Sequence, residues 1–297
     1  MSRPQPATPP NQPVLPPGQA TGQTGQLVSP SGQPVGPWKR YVALGDSFTE
    51  GLWDGDGPVR GWADRLAAAL SARRAEVGLE PVEYANLAIR GKLAGPIIRQ
   101  QLRPALALKP DLVSLVAGGN DALRLNADID SIVALLDRAV ATIRATGADV
   151  LLANSADPVA SPLIKLTRGR VARLYASIWS IARRHGAYVT DLWGMASLRD
   201  WDMWSHDRIH LTPEGHRRVA NAALIGLGLG PDDPGFDDLP TAGPPRTASQ
   251  WIRWQAEWVQ GDLIPWALRH VKGRSSGDGR SPKRPQLLPM PPQTATT

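Results

Sequence analysis

Short apolar runs alternate with longer segments of helical periodicity through the middle of this chain. In Tyr41–Leu44, four apolar residues in a row are typical of a strand that is buried on both faces, as in a parallel sheet. Apolar runs of this kind predict five strands, at residues 38–46, 82–87, 111–116, 149–154 and 187–192.

Helical spacing fills the intervals between these strands. Apolar residues recur every three to four positions at about 61–77, 93–108, 129–147 and 174–186. In the second of these helices, Pro96 must lie at the start and Pro104 near a kink, because proline donates no backbone hydrogen bond. Thr212 and Pro213 are typical of an N-cap and a first helical position, and they predict a last helix that ends at about Gly226.

The alternation of strand and helix defines the fold class. Five such repeats predict a parallel sheet with right-handed crossovers and helices on both faces. We therefore expect an α/β fold, a flavodoxin-like three-layer α/β/α sandwich with a five-stranded parallel sheet. The number of repeats is too small for a closed eight-stranded barrel.

Candidate chemistry lies where the predicted strands end. Ser47 follows the first strand, Gly91 the second and Asn120 the third, and Asp207 and His210 lie in the loop after the fifth. Ligands of an open parallel sheet bind outside the carboxyl ends of its strands. We therefore expect these loops to open on the same edge of the sheet.

These residues match the needs of acyl transfer to water. Ser47 is the candidate nucleophile and His210 the candidate base, since a histidine with an unperturbed pKa of about 6.5 is largely neutral near pH 7. Asp207, three residues before His210, is placed to orient its ring. The candidate oxyanion donors are the backbone N–H groups of Ser47 and Gly91 and the side-chain amide of Asn120.

Simpler roles stay open for several of these residues. Ser47 could belong to a helix cap, and Asn120 could lie in a capping turn. Gly91 could be an ordinary turn glycine. His206 is a second candidate for the base, and Asp202 is a second candidate for the carboxylate that orients it.

Four sequence blocks carry a resemblance to a known family. They are Gly-Asp-Ser-Phe-Thr-Glu-Gly at 45–51, Asn-Leu-Ala-Ile-Arg-Gly at 86–91, Gly-Gly-Asn-Asp at 118–121 and Asp-Arg-Ile-His-Leu-Thr at 207–212. With these four blocks in this order, the chain resembles the SGNH hydrolases, also called the GDSL esterase/lipase family, over roughly residues 38–228. The resemblance implies a flavodoxin-like sandwich, no metal and no other cofactor, and ester hydrolysis through an acyl-serine. Thr49 replaces the second glycine of a Gly-x-Ser-x-Gly elbow, which speaks against the ordinary α/β-hydrolase family.

The predicted substrate is a small ester, either a lipid acyl ester or an O-acetylated sugar. A thioesterase or an acyltransferase would use the same residues, and a non-catalytic module that binds an ester or a glycan is an alternative from another class. The candidate substrate-lining residues are Asp46, Trp53, Arg60, Arg90, Trp201 and Trp204.

Composition and charge narrow the choice of partners. The chain has no cysteine, which excludes thiolate chemistry and cysteine metal sites. Its formal charge is +6, but residues 246–297 alone carry eight basic and three acidic residues. The nearly neutral remainder argues against nucleic-acid binding, whereas the basic tail could contact an anionic surface. Because no signal-like leader or membrane-length apolar stretch is present, we expect a cytoplasmic location.

The same patterns divide the chain into four segments. We predict a disordered Pro-rich tail at 1–37, a catalytic domain at 38–230, a Trp-rich helical appendage at 231–272 and a basic disordered tail at 273–297. In the appendage, one helical face carries Trp251, Trp254 and Trp258. This stripe either docks onto the catalytic domain or contacts a partner or an anionic membrane. The sequence predicts no oligomeric state.

Overall fold

The structure is a computed structural model that describes residues 27–55, 57, 60–124, 126–158, 164–240, 247–264 and 276–292. The predicted N-terminal tail lies outside these residues as far as position 26. For residues 27–37 the prediction of disorder is wrong, since Val28 pairs with Pro34 and Val35 is buried. The physical reason is non-local, because the Arg73 guanidinium donates a hydrogen bond to the Pro34 carbonyl.

A six-stranded sheet forms the centre of the described chain. Its strands are β1 Arg40–Leu44, β2 Glu83–Asn86, β3 Leu112–Leu115, β4 Asp149–Ala153, β5 Tyr188–Thr190 and β6 Arg284–Pro289. They lie in the order β5-β4-β3-β1-β2-β6. The first five are parallel, as predicted, and β6 pairs antiparallel with β2.

Helices cover both faces of this sheet, and the flavodoxin-like sandwich is therefore confirmed. The helices are α1 Ser47–Glu50, α2 Gly61–Glu76, α3 Ala94–Ile97, α4 Arg103–Ala107, α5 Gly119–Ala122, α6 Ile129–Arg144, α7 Arg168–His185, α8 Pro213–Gly226 and α9 Ala248–Trp258. The alternating side chains of β1 serve two cores. Val42 and Leu44 pack with α6 and α7, while Tyr41 and Ala43 pack with α2 and α8. Within the part of the chain described, no helix combines the length and the hydropathy needed to cross a membrane.

The helix predicted at 93–108 is interrupted by a π-helical turn. This turn, Ile98–Leu102, joins α3 to α4, and Pro104 follows it in the first turn of α4. Because proline cannot donate to the preceding turn, a wider turn before it accommodates the missing hydrogen bond. The π turn also places Gln101, which is buried, against the loop after β1.

The prediction of a disordered tail at 273–297 is wrong for residues 284–289. These residues form β6 and pair with β2 through Tyr84–Leu288 and Asn86–Arg284. Without β6, β2 would be an open edge, and open edges accept another strand. Pro285 and Pro289 are tolerated there because β6 is itself the new edge.

A buried ion pair anchors this last strand. Lys283 Nζ lies 2.8 Å from Asp64 Oδ1 of α2 and donates to the Arg60 carbonyl at 2.6 Å. Burial lowers the pKa of Lys283, and the neighbouring Asp64 carboxylate opposes that shift. Asp64 also accepts a hydrogen bond from the Tyr84 hydroxyl at 2.8 Å, which links the tail to β2.

We expect Lys283→Met to lower the free energy of unfolding by about 3 kcal/mol. Removing one partner of a buried ion pair leaves the other charge uncompensated, which typically costs about 3–5 kcal/mol. The lower end applies because Asp64 keeps the donors Tyr84 and Arg60 N–H. Urea unfolding at pH 7 measures the change, with Lys39→Met on the exposed surface as the matched control. Equal midpoints for the two variants would contradict the anchoring role.

Candidate active site

Ser47 lies at the first turn after β1, at the carboxyl edge of the sheet. Asp46 caps α1 by accepting a hydrogen bond from the Phe48 N–H at 3.1 Å. Gly45 is required by close packing, since a Cβ there would lie 2.5 Å from Thr49 Oγ1 and 3.0 Å from the Val116 carbonyl oxygen. Both ends of the Gln101 amide bond the Gly45 backbone at 2.9 Å, a support that sequence patterns did not reveal.

The structure brings the three predicted triad residues together. Ser47 Oγ lies 2.8 Å from His210 Nε2, and His210 Nδ1 lies 2.6 Å from Asp207 Oδ2. These three side chains therefore form one continuous line of hydrogen bonds. Ser47 and Asp207 are buried, whereas His210 is half-buried between them.

Donors surround both oxygens of the Asp207 carboxylate. Oδ1 accepts from the backbone N–H groups of Ile209 and His210, each at 3.0 Å, and from the Ser205 hydroxyl at 2.8 Å. Oδ2 accepts from Trp53 Nε1 at 2.8 Å as well as from His210. Burial opposes ionisation, but the hydrogen bonds and charge of His210 and the backbone amides hold the pKa of Asp207 well below its ordinary value.

Asn120 lies at the start of α5 with its amide directed toward the Ser47 loop. Its Nδ2 donates to Asp46 Oδ2 at 3.0 Å and to the Lys92 carbonyl at 3.1 Å. Burial raises the pKa of Asp46 to about 6, and the Phe48 N–H opposes that shift. Gly118 directly before α5 adopts φ 99°, and a Cβ there would lie 3.0 Å from Leu174. Glycine at this position therefore lets the loop turn Asn120 toward the site.

Gly91 lies in the loop that follows β2, on the same edge of the sheet. Its φ of 70° is in the left-handed region that glycine adopts without strain. Arg90 forms an ion pair with Glu50 of α1, and the Arg90 N–H also donates to Glu50 at 2.6 Å. The loop that carries Gly91 is thus tied to the helix that begins at Ser47.

The alternatives for the base and its partner carboxylate find no support in this geometry. The imidazole that bonds Ser47 belongs to His210, whereas His206 packs edge-on against the Trp53 ring at 4.7 Å. The carboxylate that bonds His210 belongs to Asp207. Asp202 is exposed on the surface and accepts a hydrogen bond from Thr212 through its carbonyl.

A largely apolar cavity of about 190 Å³ opens beside Ser47. Its apolar lining comes from Phe48, Val116, Leu123, Val171, Leu192 and Leu198. Asn120 and His210 also line this cavity, so the candidate nucleophile, the candidate base and one candidate oxyanion donor face one volume, whereas Gly91 is not among the lining residues. Among the described residues, no three histidine or acidic side chains are grouped closely enough to hold a metal ion.

Three of the six predicted lining residues line this cavity, namely Asp46, Trp201 and Trp204. The other three do not. Trp53 instead bonds the Asp207 carboxylate, Arg60 precedes α2 and binds Lys283 through its carbonyl, and Arg90 is paired with Glu50. Sequence order placed these side chains near Ser47, but a carboxylate outside the cavity binds the Trp53 indole and another binds the Arg90 guanidinium, while Arg60 is held through its backbone.

The tryptophan stripe of the appendage docks onto the loop that carries Asp207 and His210. Trp258 Nε1 donates to the Asp207 carbonyl at 2.9 Å, and the Trp254 ring lies 5.7 Å from the Trp201 ring. The side chain of Trp251 lies outside the described part of the structure. Of the two alternatives for the stripe, docking onto the catalytic domain is therefore the one that the contacts of Trp254 and Trp258 support.

The fold and site agree with the comparisons with known proteins. Residues 43–218 match the GDSL-like lipase/acylhydrolase family, and the chain belongs to that family. The protein is therefore a serine hydrolase that acts on ester bonds. A search of curated proteins found no match.

Solved structures give the same fold. LAE5, an alpha/beta hydrolase enzyme from the metagenome of Lake Arreo, is 25% identical, with 64% of this chain and 95% of that chain covered and a TM-score of 0.53. A variant of the Geobacillus stearothermophilus acetyl xylan esterase Axe2 is 20% identical, with 66% and 97% covered and a TM-score of 0.56. The Enterococcus faecalis lipase/acylhydrolase is 24% identical, with 66% and 99% covered and a TM-score of 0.52.

Proposed function

We propose that the protein hydrolyses carboxylic esters through an acyl-serine intermediate formed on Ser47. The observation that carries this proposal is the line of hydrogen bonds from Ser47 through His210 to Asp207, at 2.8 and 2.6 Å. A nucleophile bonded to a base, and a base oriented by a third group, is the geometry that hydroxyl activation needs.

In the first half-reaction, His210 Nε2 takes the Ser47 proton while Ser47 Oγ attacks the ester carbonyl carbon. Asp207 holds Nδ1–H and stabilises the imidazolium that forms. The negative oxygen of the tetrahedral intermediate is stabilised by the Asn120 amide and the Ser47 and Gly91 N–H groups. When the intermediate collapses, the imidazolium protonates the departing alcohol. Water then attacks the acyl-serine by the same steps in reverse order, which releases the acid and restores Ser47.

The cavity favours an ester with an aliphatic acyl chain. Beside Ser47 its lining includes the apolar side chains Val116, Val171 and Leu198, and an alkyl chain suits an apolar volume of about 190 Å³. Burial of each methylene there contributes about 0.8 kcal/mol. An O-acetylated sugar is the second candidate substrate, favoured by Trp201 and Trp204 in the lining and by a structural relative that is an acetyl xylan esterase. A thioester substrate or a non-water acceptor would use the same acyl-serine.

Labelling with a fluorophosphonate tests the nucleophile directly. We expect wild-type protein to gain one phosphonyl group, located on Ser47 by peptide mass spectrometry, and Ser47→Ala to gain none. Ser180→Ala is the matched control, since Ser180 is exposed and its hydroxyl donates to the Ala176 carbonyl of its own helix α7. Equal labelling of Ser47→Ala and wild type would remove Ser47 from the mechanism.

The same protein preparations distinguish the acyl classes. Initial rates on p-nitrophenyl acetate, butyrate, octanoate and decanoate should rise beyond acetate if the apolar cavity binds the acyl chain. A maximum at acetate, together with acetate release from acetylated oligosaccharides, would favour the acetyl-sugar substrate instead.

A further inference from the structure

Arg208 occupies an unusual position inside the turn that joins Asp207 to His210. Its φ is 57°, in the left-handed region that disfavours residues with a Cβ. Its side chain is also buried, with 4% of the residue exposed. A backbone in this conformation persists only where the surroundings hold it, and the turn therefore needs partners outside itself.

The partners of Arg208 are aromatic rings, two of which belong to α9. The guanidinium carbon lies 3.4 Å from the centre of the Trp254 ring, 4.7 Å from that of Trp258 and 5.5 Å from that of Trp201. One Arg208 nitrogen also donates to the Trp254 carbonyl at 2.8 Å. A desolvated guanidinium between aromatic faces is attracted by their quadrupoles, which fixes it in position.

Trp258 also binds Asp207, the residue that precedes Arg208 in the chain. Its Nε1 donates to the Asp207 backbone carbonyl at 2.9 Å, and Trp258 itself is 3% exposed. α9 therefore holds the turn at two consecutive residues, through the Asp207 backbone and the Arg208 side chain. Asp207 is the residue whose carboxylate lies 2.6 Å from His210 Nδ1.

We propose that α9 is part of the active site and that Trp258 is a positioning residue. This helix lies outside the family-matched residues 43–218. It keeps the Asp207–His210 turn at hydrogen-bond distance from Ser47. The inference rests on the acyl-serine function proposed above, since it assigns α9 a role in the same triad. Trp258 lines no part of the cavity beside Ser47 and acts through Asp207.

A positioning role predicts a specific kinetic effect. When the Trp258 N–H is removed, the Asp207 carbonyl loses its indole donor and α9 no longer holds the turn at that residue. Misplacement of about 1 Å costs up to about 10²-fold in rate. We expect Trp258→Phe to lower kcat by about 10- to 100-fold and to change KM less than twofold.

Trp38→Phe is the matched control for this variant. Trp38 is 4% exposed, and its Nε1 donates to Asp149 Oδ2 at 2.8 Å. Asp149 begins β4, so this hydrogen bond lies at the opposite end of the sheet from Ser47. Both variants lose one indole donor from a buried ring. We expect Trp38→Phe to keep kcat within twofold of wild type, with urea unfolding checking that both variants are folded.

A second readout excludes effects on substrate binding. The rate of fluorophosphonate labelling depends on activation of Ser47, and it should fall in Trp258→Phe by the same factor as kcat. If Trp258→Phe does not fold, Arg208→Lys keeps the charge but loses the guanidinium fork, and it should show the same loss of kcat at saturating substrate. Because Arg208 also lines the cavity, only kcat is compared for this variant. Ser47→Ala is assayed beside them. The role of α9 alone would be overturned if Ser47→Ala loses turnover but a folded Trp258→Phe or Arg208→Lys protein has the same kcat as Trp38→Phe. Turnover retained in Ser47→Ala would overturn the proposed function instead.

Discussion

Asp207→Asn is expected to lower kcat by about 10⁴-fold, because an amide cannot satisfy the donors that surround this carboxylate. Trp53 Nε1 and His210 Nδ1 meet at Oδ2, while two backbone N–H groups and the Ser205 hydroxyl meet at Oδ1. Whichever way the amide is turned, its NH₂ group faces donors. If the NH₂ replaces Oδ2, His210 must accept at Nδ1 and carry its proton on Nε2. The imidazole then has no lone pair for the Ser47 proton.

The measurement is kcat on a p-nitrophenyl ester, since substitution at Asp207 changes the base rather than the cavity. Asp202→Asn is the matched control, because Asp202 is an exposed carboxylate in the same loop that binds Thr212 only through its backbone carbonyl. We expect this control to keep kcat within twofold. A loss of less than tenfold in Asp207→Asn would show that the orientation of His210 does not depend on this carboxylate.

The predicted site residues that the structure brings together are those whose positions follow from the strands. Ser47 and Asn120 each come directly after a short apolar run, and parallel strands deliver their carboxyl ends to one edge. The Asp207–His210 pair was predictable for a similar reason, since three residues of one turn bring the two side chains into contact. Fold class and triad membership thus depend on short-range sequence signals that tertiary packing leaves intact.

The parts that sequence analysis missed depend on contacts between distant segments. β6 has no alternating pattern, and it is ordered because β2 offers an open edge and Asp64 binds Lys283. The pattern around Trp53 predicts a loop near Ser47, but not that its indole reaches across 154 positions to Asp207. Proline and basic residues lower the local tendency to fold, and here long-range backbone pairing outweighs that tendency.

Asn120→Ala is expected to lower kcat by about 10²–10³-fold, the loss of about 2.7–4 kcal/mol of transition-state stabilisation that one oxyanion donor supplies. In the free protein, Asp46 and Lys92 fix the Asn120 amide in place before substrate binds. Both amide hydrogens are engaged in the free protein, so one of these two bonds is exchanged for the bond to the oxyanion while the other keeps the side chain oriented. Because the charge on that oxygen exists only near the transition state, kcat should fall while KM changes little.

The matched control is Asn126→Ala, since Asn126 is an exposed asparagine in the loop between α5 and α6. It should leave both constants within twofold of wild type. The Asp46 carboxylate also loses a donor in Asn120→Ala, so the stability of the variant is measured by urea unfolding to separate unfolding from lost catalysis. A folded Asn120→Ala protein with a raised KM and an unchanged kcat would mean that Asn120 binds the ground-state ester, and the oxyanion role would then pass to the backbone N–H groups of Ser47 and Gly91.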